Sequence, residues 1–178
     1  MNYSEIKYND IANGVGVRTS LFVSGCRHHC PGCFNDVTWG FDSGMPYTNS
    51  VEGMIVRSLM PSHVSGLSIL GGEPLEPENQ PDVAGLIQHV RMMVPDATIW
   101  MWTGFTYEDL MHGRSRTEVL PYILKGTDVL VDGRYMAELA DVTLRFRGSS
   151  NQRLIDVQRS LESGDVVLWD DGQVRGRW

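Results

Sequence analysis

Cysteine is scarce in this sequence: there are three among 178 residues, and all of them lie between Cys26 and Cys33. An odd number in one short segment excludes a disulfide framework and points to a cofactor site. Long apolar runs are also missing, since none approaches the ~20 residues that span a bilayer. Positive charge is in deficit, with 15 Lys and Arg against 22 Asp and Glu, so we expect no nucleic acid and no membrane as partner.

The chain also lacks repeats, low-complexity tracts and any Pro/Gly/Ser-rich linker. Its length is close to that of one domain of ~150 residues. We therefore predict one domain, residues 1–157, and a C-terminal extension, residues 158–178. Within the extension, Val166–Trp169 and Gln173–Arg177 flank an Asp-Gly step, which predicts a short β-hairpin. The first ten residues are polar and do not resemble a secretory signal, so a cytoplasmic location is expected.

Short apolar runs alternate with helical patterns along the domain. The predicted strands are Thr19–Ser24, Leu67–Leu70, Thr98–Trp102 and Val129–Val131. Helical spacing or capping signals predict helices near residues 51–59, 81–94, 106–109 and 118–124. This order indicates an α/β fold with parallel strands, in which ligands bind at the carboxyl ends of the strands. We expect the cysteines, Gly71–Pro74, Thr103 and Asp132 to meet there.

The candidate metal ligands are Cys26, Cys30 and Cys33, in the loop after the first predicted strand. Three thiolates suit zinc or an iron-sulfur cluster. A structural zinc site has four protein ligands, and the fourth could come from one of five histidines: His28, His29, His63, His89 or His112. Clustered cysteines without a second pair favour a four-iron cluster with one iron free of protein ligand.

The spacing Cys-x3-Cys-x2-Cys resembles that of the radical S-adenosylmethionine enzymes. Gly71-Gly72-Glu73-Pro74, after the second predicted strand, is similar to the glycine-glycine-acid segment with which that family meets the methionyl amino group. Glycines let the backbone approach a ligand closely, and a carboxylate is a natural acceptor for an ammonium. The resemblance implies an incomplete (β/α) TIM-like barrel of the radical S-adenosylmethionine type, a 4Fe-4S cluster and S-adenosylmethionine as cofactors.

Further segments resemble the activating enzymes of glycyl radical proteins, and among these the subgroup that acts on anaerobic ribonucleoside-triphosphate reductase. The segments are Asn13–Arg18, Leu21–Cys26, Cys30–Asn35, Trp100–Gly104, Val129–Arg134 and Arg147–Gln152. Phe34 follows the third cysteine and Gly32 precedes it, which favours this subgroup, because many radical enzymes have an aromatic residue before that cysteine. Val15 stands where the family usually has proline.

The resemblance implies an oxidoreductase. The reduced cluster would cleave S-adenosylmethionine, and the 5'-deoxyadenosyl radical would take hydrogen from a glycine of the large catalytic subunit of the reductase. Reduced flavodoxin or a similar protein would donate the electron. No catalytic side chain is expected beyond the ligands of the cluster and of the cofactor.

The resemblance also implies which residues contact the cofactor. These are Gly32, Cys33, Phe34, Gly71, Gly72 and Glu73, together with Arg134, which occupies the position where related activases place a lysine for the cofactor carboxylate. Arg134 could equally be a solvated surface residue. Two other functions stay open: activation of a different glycyl radical enzyme, and a non-catalytic zinc or iron-sulfur binding module.

Overall fold

The computed structural model describes residues 1–115 and 117–170, which form a single seven-stranded sheet with helices. The strands are β1 (Asn2–Asp10), β2 (Val17–Val23), β3 (Met45–Pro46), β4 (Val64–Gly71), β5 (Thr98–Trp102), β6 (Val129–Asp132) and β7 (Arg153–Asp156). The α-helices are α1 (Asn49–Ser58), α2 (Gln80–Met93), α3 (Tyr107–Met111), α4 (Leu120–Gly126) and α5 (Val157–Ser163). Two 3₁₀ turns, Asp36–Thr38 and Ala137–Leu139, lie in the loops.

The strand order is β3-β1-β2-β4-β5-β6-β7. The four central strands, β2, β4, β5 and β6, are parallel, as the alternation of apolar runs and helical patterns predicts. The predicted α/β class is confirmed. The sheet is mixed, however, because β1 pairs antiparallel with β2 and β3, and β7 pairs antiparallel with β6.

The three antiparallel strands escaped prediction because their sequences carry little apolar signal. In β1 the residues are mostly polar and only Tyr3 is buried. In β7 only Ile155 is fully buried. A strand at the border of a sheet needs few buried side chains, so its composition resembles that of a loop.

The hydrophobic core lies between the sheet and helices α1, α2 and α4. Leu21, Leu67, Ile69, Ile99 and Leu130 point into it from the four parallel strands, and every one of them is fully buried. The helices are held by the local signals expected of them. Thr106 forms a capping box with Asp109 at α3, and Pro81 occupies the first turn of α2.

The expected boundary between residues 157 and 158 falls in the first turn of α5, whose Val157 and Ser160 are fully buried. Beyond α5, the chain returns along β7: Val167 accepts a hydrogen bond from the Asp156 amide, and the Trp169 amide donates to Leu154. The predicted hairpin includes residues 171–178, which lie outside the described residues. Within the described ranges, no helix is both long and apolar enough to cross a membrane.

Candidate metal centre

The cysteine loop begins where β2 ends, and backbone hydrogen bonds hold its start. Gly25 donates to Thr38 O at 2.8 Å and Cys26 donates to Trp39 O at 3.0 Å, which anchors the first cysteine to the 3₁₀ turn that follows the loop. At the other end of the loop, Cys33 donates to Cys30 O at 3.1 Å. The backbone therefore fixes the positions of all three cysteines without any disulfide.

All three cysteines line one cavity of about 460 Å³. Cys26 and Cys30 are buried and Cys33 is half-buried, and each thiol is free. The opposite walls come from the carboxyl ends of the other parallel strands: Gly71 and Gly72 at the end of β4, Thr103 and Gly104 after β5, and Gly133 after β6. These loops share one face with the cysteines, as expected, but Pro74 and Asp132 do not line the cavity.

Asp132 has a different task. Its buried carboxylate accepts the amide of Tyr107, at the first turn of α3, at 2.8 Å. It also accepts from the guanidinium of Arg153 on β7. Asp132 therefore joins β6, β7 and α3 to one another and contributes nothing to the cavity wall.

Two glycines allow the loops to come this close together. A Cβ atom on Gly72 would lie 2.7 Å from Gly25 O, and one on Gly104 would lie 2.4 Å from the ring of His28. Real Cβ atoms essentially never approach other atoms that closely. Gly72 was expected to contact a cofactor, and the structure shows that it is also required for packing of β4 against the cysteine loop.

Glu73 is almost completely buried, with 1% of its surface exposed. Its carboxylate accepts hydrogen bonds from the Leu75 and Gly104 amides, the Thr103 hydroxyl and the His28 ring. It lines the cavity, as predicted for a cofactor contact, but its oxygens already have partners from three loops.

Burial raises the pKa of the Cys26 thiol to about 11, and the negative charge of Glu73 adds to this shift. At neutral pH the free thiol is therefore protonated. Because metals bind thiolates, a positive metal centre would have to displace this proton.

Of the remaining predicted cofactor residues, Phe34 lines the cavity, whereas Gly32 and Arg134 do not. Phe34 is 75% exposed and its ring lies 5.3 Å from that of Tyr135. Gly32 adopts a left-handed backbone conformation, φ 73°, next to Tyr135 and Ala137. Arg134 is exposed, and its guanidinium donates a hydrogen bond to the backbone carbonyl of His28. Arg134 therefore contacts the cysteine loop itself.

Several residues of the site carry no recognisable signal in the sequence. Trp39 lines the cavity, and its buried indole nitrogen has no acceptor among the described residues. Gln152 accepts from the amides of Gly148 and Ser149 and donates to Gly133 O, which holds a distant loop at the rim. No sequence motif marks Trp39. Gln152 closes the segment Arg147–Gln152, and its two amide donors lie only three and four residues before it, so only the resemblance of that segment to the activating enzymes indicated that it belongs to the site.

The donor set fits a four-iron cluster better than a single zinc ion. Among the five histidines, only His28 lines the cavity, and its ring is bonded to Glu73. In residues 1–115 and 117–170, no three Cys, His, Asp or Glu side chains converge as the ligands of one ion must. A cluster binds each thiolate at a different iron, so three separate thiols in one cavity suit it. The unpaired indole N–H of Trp39 also suits a ligand that presents acceptors.

Comparisons with known proteins agree with this donor set. Residues 12–155 match the family model described as a 4Fe-4S single cluster domain. Over 154 residues, the chain is 43% identical to the anaerobic ribonucleoside-triphosphate reductase-activating protein of Escherichia coli K12, covering 85% of this chain and 96% of the relative. The protein of the same name from Vibrio cholerae is 45% identical over the same shares of the two chains. That of enterobacteria phage T4 is 39% identical over 86% of this chain and 93% of its own.

Proposed function

This chain belongs to the family of anaerobic ribonucleoside-triphosphate reductase-activating proteins, and we propose that it generates a glycyl radical on the large catalytic subunit of that reductase. It is an enzyme of the radical S-adenosylmethionine type, with a 4Fe-4S cluster and S-adenosylmethionine as cofactors. The observation that carries this proposal is the convergence of three free thiols on one glycine-walled cavity at the carboxyl ends of four parallel strands.

The residues of this chain would bind the cluster, orient the cofactor and shield both from solvent. Cys26, Cys30 and Cys33 would hold three irons and leave the fourth open to the cofactor. Gly71 and Gly72 let the end of β4 pack directly against the backbone of residues 22–25, which brings the β4 wall of the cavity beside the cysteine loop. When bound, the cluster and S-adenosylmethionine supply the one-electron cleavage of a carbon-sulfur bond and the hydrogen abstraction.

The rim residues would separate the reaction from solvent. Cys33 and Phe34 line the cavity and Gly32 directly precedes them, so this segment would face the cofactor. Arg134 stands on the same side, where a guanidinium can pair with a carboxylate through two parallel hydrogen bonds. Its contact with His28 O keeps it beside the cysteine loop.

We assign the sheet to an incomplete TIM-like barrel. Three consecutive parallel connections that contain helices, from β2 to β4, β5 and β6, support this assignment. So does the gathering of their carboxyl-end loops around one cavity, which is where barrels of this kind carry their active sites. The electron would come from reduced flavodoxin or a similar low-potential protein.

The test is an anaerobic reconstitution. The protein is loaded with iron and sulfide, reduced, and mixed with S-adenosylmethionine and the large subunit of the reductase. We expect 5'-deoxyadenosine in an amount that depends on all three cysteines, together with the electron paramagnetic resonance (EPR) doublet of a glycyl radical. Cys26→Ala, Cys30→Ala and Cys33→Ala should each abolish both signals.

His89→Ala is the matched control, because His89 bonds Glu52 on the helix side of the sheet, far from the cavity. Zinc in the site, or a cluster that leaves S-adenosylmethionine intact, would overturn the proposal in favour of a binding module. Cleavage of S-adenosylmethionine with a radical on a different glycyl radical enzyme only would change the substrate and keep the chemistry.

A further inference from the structure

The Glu73 carboxylate has no acceptor site to spare. Its Oε1 accepts from Leu75 N at 2.9 Å and from Thr103 Oγ1 at 2.8 Å. Its Oε2 accepts from Gly104 N at 2.7 Å and from His28 Nε2 at 3.0 Å. An ionised carboxylate offers about four lone-pair sites, so these donors occupy all of them.

An incoming ammonium would therefore have to displace one of these donors. Three of them come from backbone or side-chain groups in the turn after β4 and at the end of β5, at buried or partly buried positions. Displacing a donor from a buried position leaves it without a partner, which offsets most of what the ammonium gains. These four hydrogen bonds join three loops, and we call them the Glu73 cross-link.

The fourth donor, His28, sits midway between Cys26 and Cys30 and is packed from several directions. Its ring lies edge-on against Phe105, with centroids 4.6 Å apart. It also lies against Gly104, where any side chain would collide with it. Its backbone carbonyl accepts from Arg134. Only 14% of the His28 side chain is exposed.

We propose that Glu73 is a positioning residue, which acts through His28 to hold the cysteine loop against the ends of β4 and β5, and is not a ligand of the cofactor's ammonium. The proposal rests on the function given above, because it concerns how the loop that carries the cluster ligands is held. It changes the role that the resemblance implies for Glu73.

The neighbouring His29 provides a matched control within the same loop. It is exposed and its ring stacks on Trp39 at 4.5 Å, and it bonds no carboxylate among the described residues. Both histidines lie between the same two cysteines. His29 has a left-handed backbone conformation, φ 46°, so His29→Ala is a stringent control for any effect of alanine on the loop backbone. Of the two histidines, only His28 bonds the Glu73 carboxylate; the Glu73 amide holds the start of the loop separately, through Gly25 O at 2.8 Å.

The first experiment measures amide hydrogen exchange in the full chain before cluster loading. The reporters are the amides of Cys33, which donates to Cys30 O, and Gly104, which donates to Glu73. His28→Ala should speed exchange of both by about tenfold or more, because a hydrogen bond to a charged group is lost. His29→Ala should leave them unchanged, and His28→Gln, which keeps a side-chain N–H donor, should restore most of the protection. Equal effects of the two alanine variants would overturn the proposal.

The second experiment follows the EPR spectrum of the reduced cluster in the loaded protein as S-adenosylmethionine is added. Glu73→Gln replaces one carboxylate oxygen, which accepts two hydrogen bonds, with an amide NH₂ group, which can only donate. If Glu73 positions the loop, Glu73→Gln and His28→Ala should both alter the spectrum before any cofactor is added, and should weaken cofactor binding by similar factors. Cofactor binding weakened about tenfold in Glu73→Gln, with an unaltered cofactor-free spectrum and unaltered exchange, would instead identify Glu73 as a direct ligand.

The two experiments separate this inference from the proposed function. A wild-type EPR spectrum that does not change when S-adenosylmethionine is added would contradict the proposed function. The exchange measurement would still decide whether His28 holds the cysteine loop. Should Glu73→Gln fail to fold, cofactor binding by the loaded histidine variants makes the decision. Binding weakened in His28→Ala but not in His29→Ala supports a positioning role, whereas unchanged or tighter binding in His28→Ala, which frees one acceptor of Glu73, would identify Glu73 as a direct ligand.

Discussion

The two faces of the four parallel strands have opposite characters. On one face, which we call the helix face, Leu21, Leu67, Ile69, Ile99 and Leu130 pack against the helices. On the other, the pocket face, Phe22, Leu70 and Trp102 line the cavity. The same face carries the buried polar residues Arg18, Ser20 and Ser68, and a small apolar cluster around Trp100. Side chains alternate along a strand, so one residue of shift separates the main core from the face that carries the cavity.

The comparison teaches where function can be placed in such a sheet. The helix face has one task, the exclusion of water, and any close-packed set of apolar side chains fulfils it. The pocket face must hold buried polar groups, and each of them needs specific partners. The main core and the cavity thus occupy alternate positions of the same strands.

The sharpest test of this division, and the largest expected effect, uses one substitution on both faces of β4. Leu67→Ala should lower the free energy of unfolding by about 2–5 kcal/mol, because Leu67 is 0% exposed and its loss leaves a closed cavity. Leu70→Ala should cost about 1–2 kcal/mol, because Leu70 lines an open cavity that water can enter. Anaerobic denaturant titration measures both, and equal losses would contradict the division.

Arg18 tests the polar side of the comparison. Its guanidinium is fully buried and donates to Ser68 Oγ, Leu67 O, Thr98 O, Thr98 Oγ1 and Val15 O. These partners are neutral, and burial lowers the pKa of Arg18 to about 10.

We expect Arg18→Met to lower the free energy of unfolding by about 1–3 kcal/mol, because it leaves buried acceptors without their donor. The loop of residues 11–16 should also exchange its amides faster, since Val15 O loses its anchor. Arg18→Lys keeps the charge but not the planar set of donors, so it should recover only part of the loss. Full recovery by lysine would mean that charge alone matters at this position.

Trp102 tests whether the pocket face depends on individual hydrogen bonds. Its indole nitrogen donates to Phe146 O at 2.7 Å and so connects β5 to the loop at the cavity rim. Trp102→Phe keeps an aromatic ring and removes the donor. The free energy of unfolding, measured by thermal denaturation, should fall by about 1 kcal/mol. No loss would indicate that the ring alone holds the loop.

The smallest effect is expected for the ion pair between Glu108 on α3 and Arg153 on β7. The hydrogen-bonded Arg153 guanidinium lowers the pKa of Glu108 to about 2 from its ordinary value of 4.5. The ionised carboxylate therefore stabilises the fold above pH 4.5, and this contribution is lost as the pH falls towards 2. Because Glu108 is about half exposed, we expect less than about 1 kcal/mol.

Glu108→Gln is the variant for that measurement. Its unfolding temperature should lie slightly below that of the wild type at pH 7, and the two should coincide near pH 2. A difference that persists unchanged at low pH would assign the stabilisation to packing instead of charge.

How far the sequence could predict this molecule follows from the same division. The helix-face residues Leu67 and Ile69 lie in an apolar run that ends at Gly71, so β4 and its parallel neighbours were predicted correctly. The strand β1 was not predicted, because most of its residues are polar and form no apolar run or stripe. Local patterns reveal an element only where both of its faces, or one regular stripe, are apolar.

The site divides in a similar way. Cys26, Cys30 and Cys33 lie close together in the sequence, so their spacing alone indicated a metal centre. The cross-link around Glu73 could not be predicted, because its donors come from three separate loops and include two backbone amides. Backbone amides are present at nearly every residue, so no sequence pattern marks the ones that a carboxylate will meet.

The two borders of the sheet have a consequence for how this protein behaves at high concentration. An uncovered border strand is a template on which another molecule can add a strand, and so a starting point for aggregation. At one border, β3 is two residues long, ends in Pro46, which has no N–H to offer, and pairs only with Asn2 and Tyr3. The rest of β1 forms this border with mostly polar or charged residues, which discourage the addition of a strand. At the other, Val167 and Trp169 already occupy the outer side of β7. Shortening the chain before Val166 would uncover the outer side of β7, so we expect residues 166–169 to protect the protein from self-association.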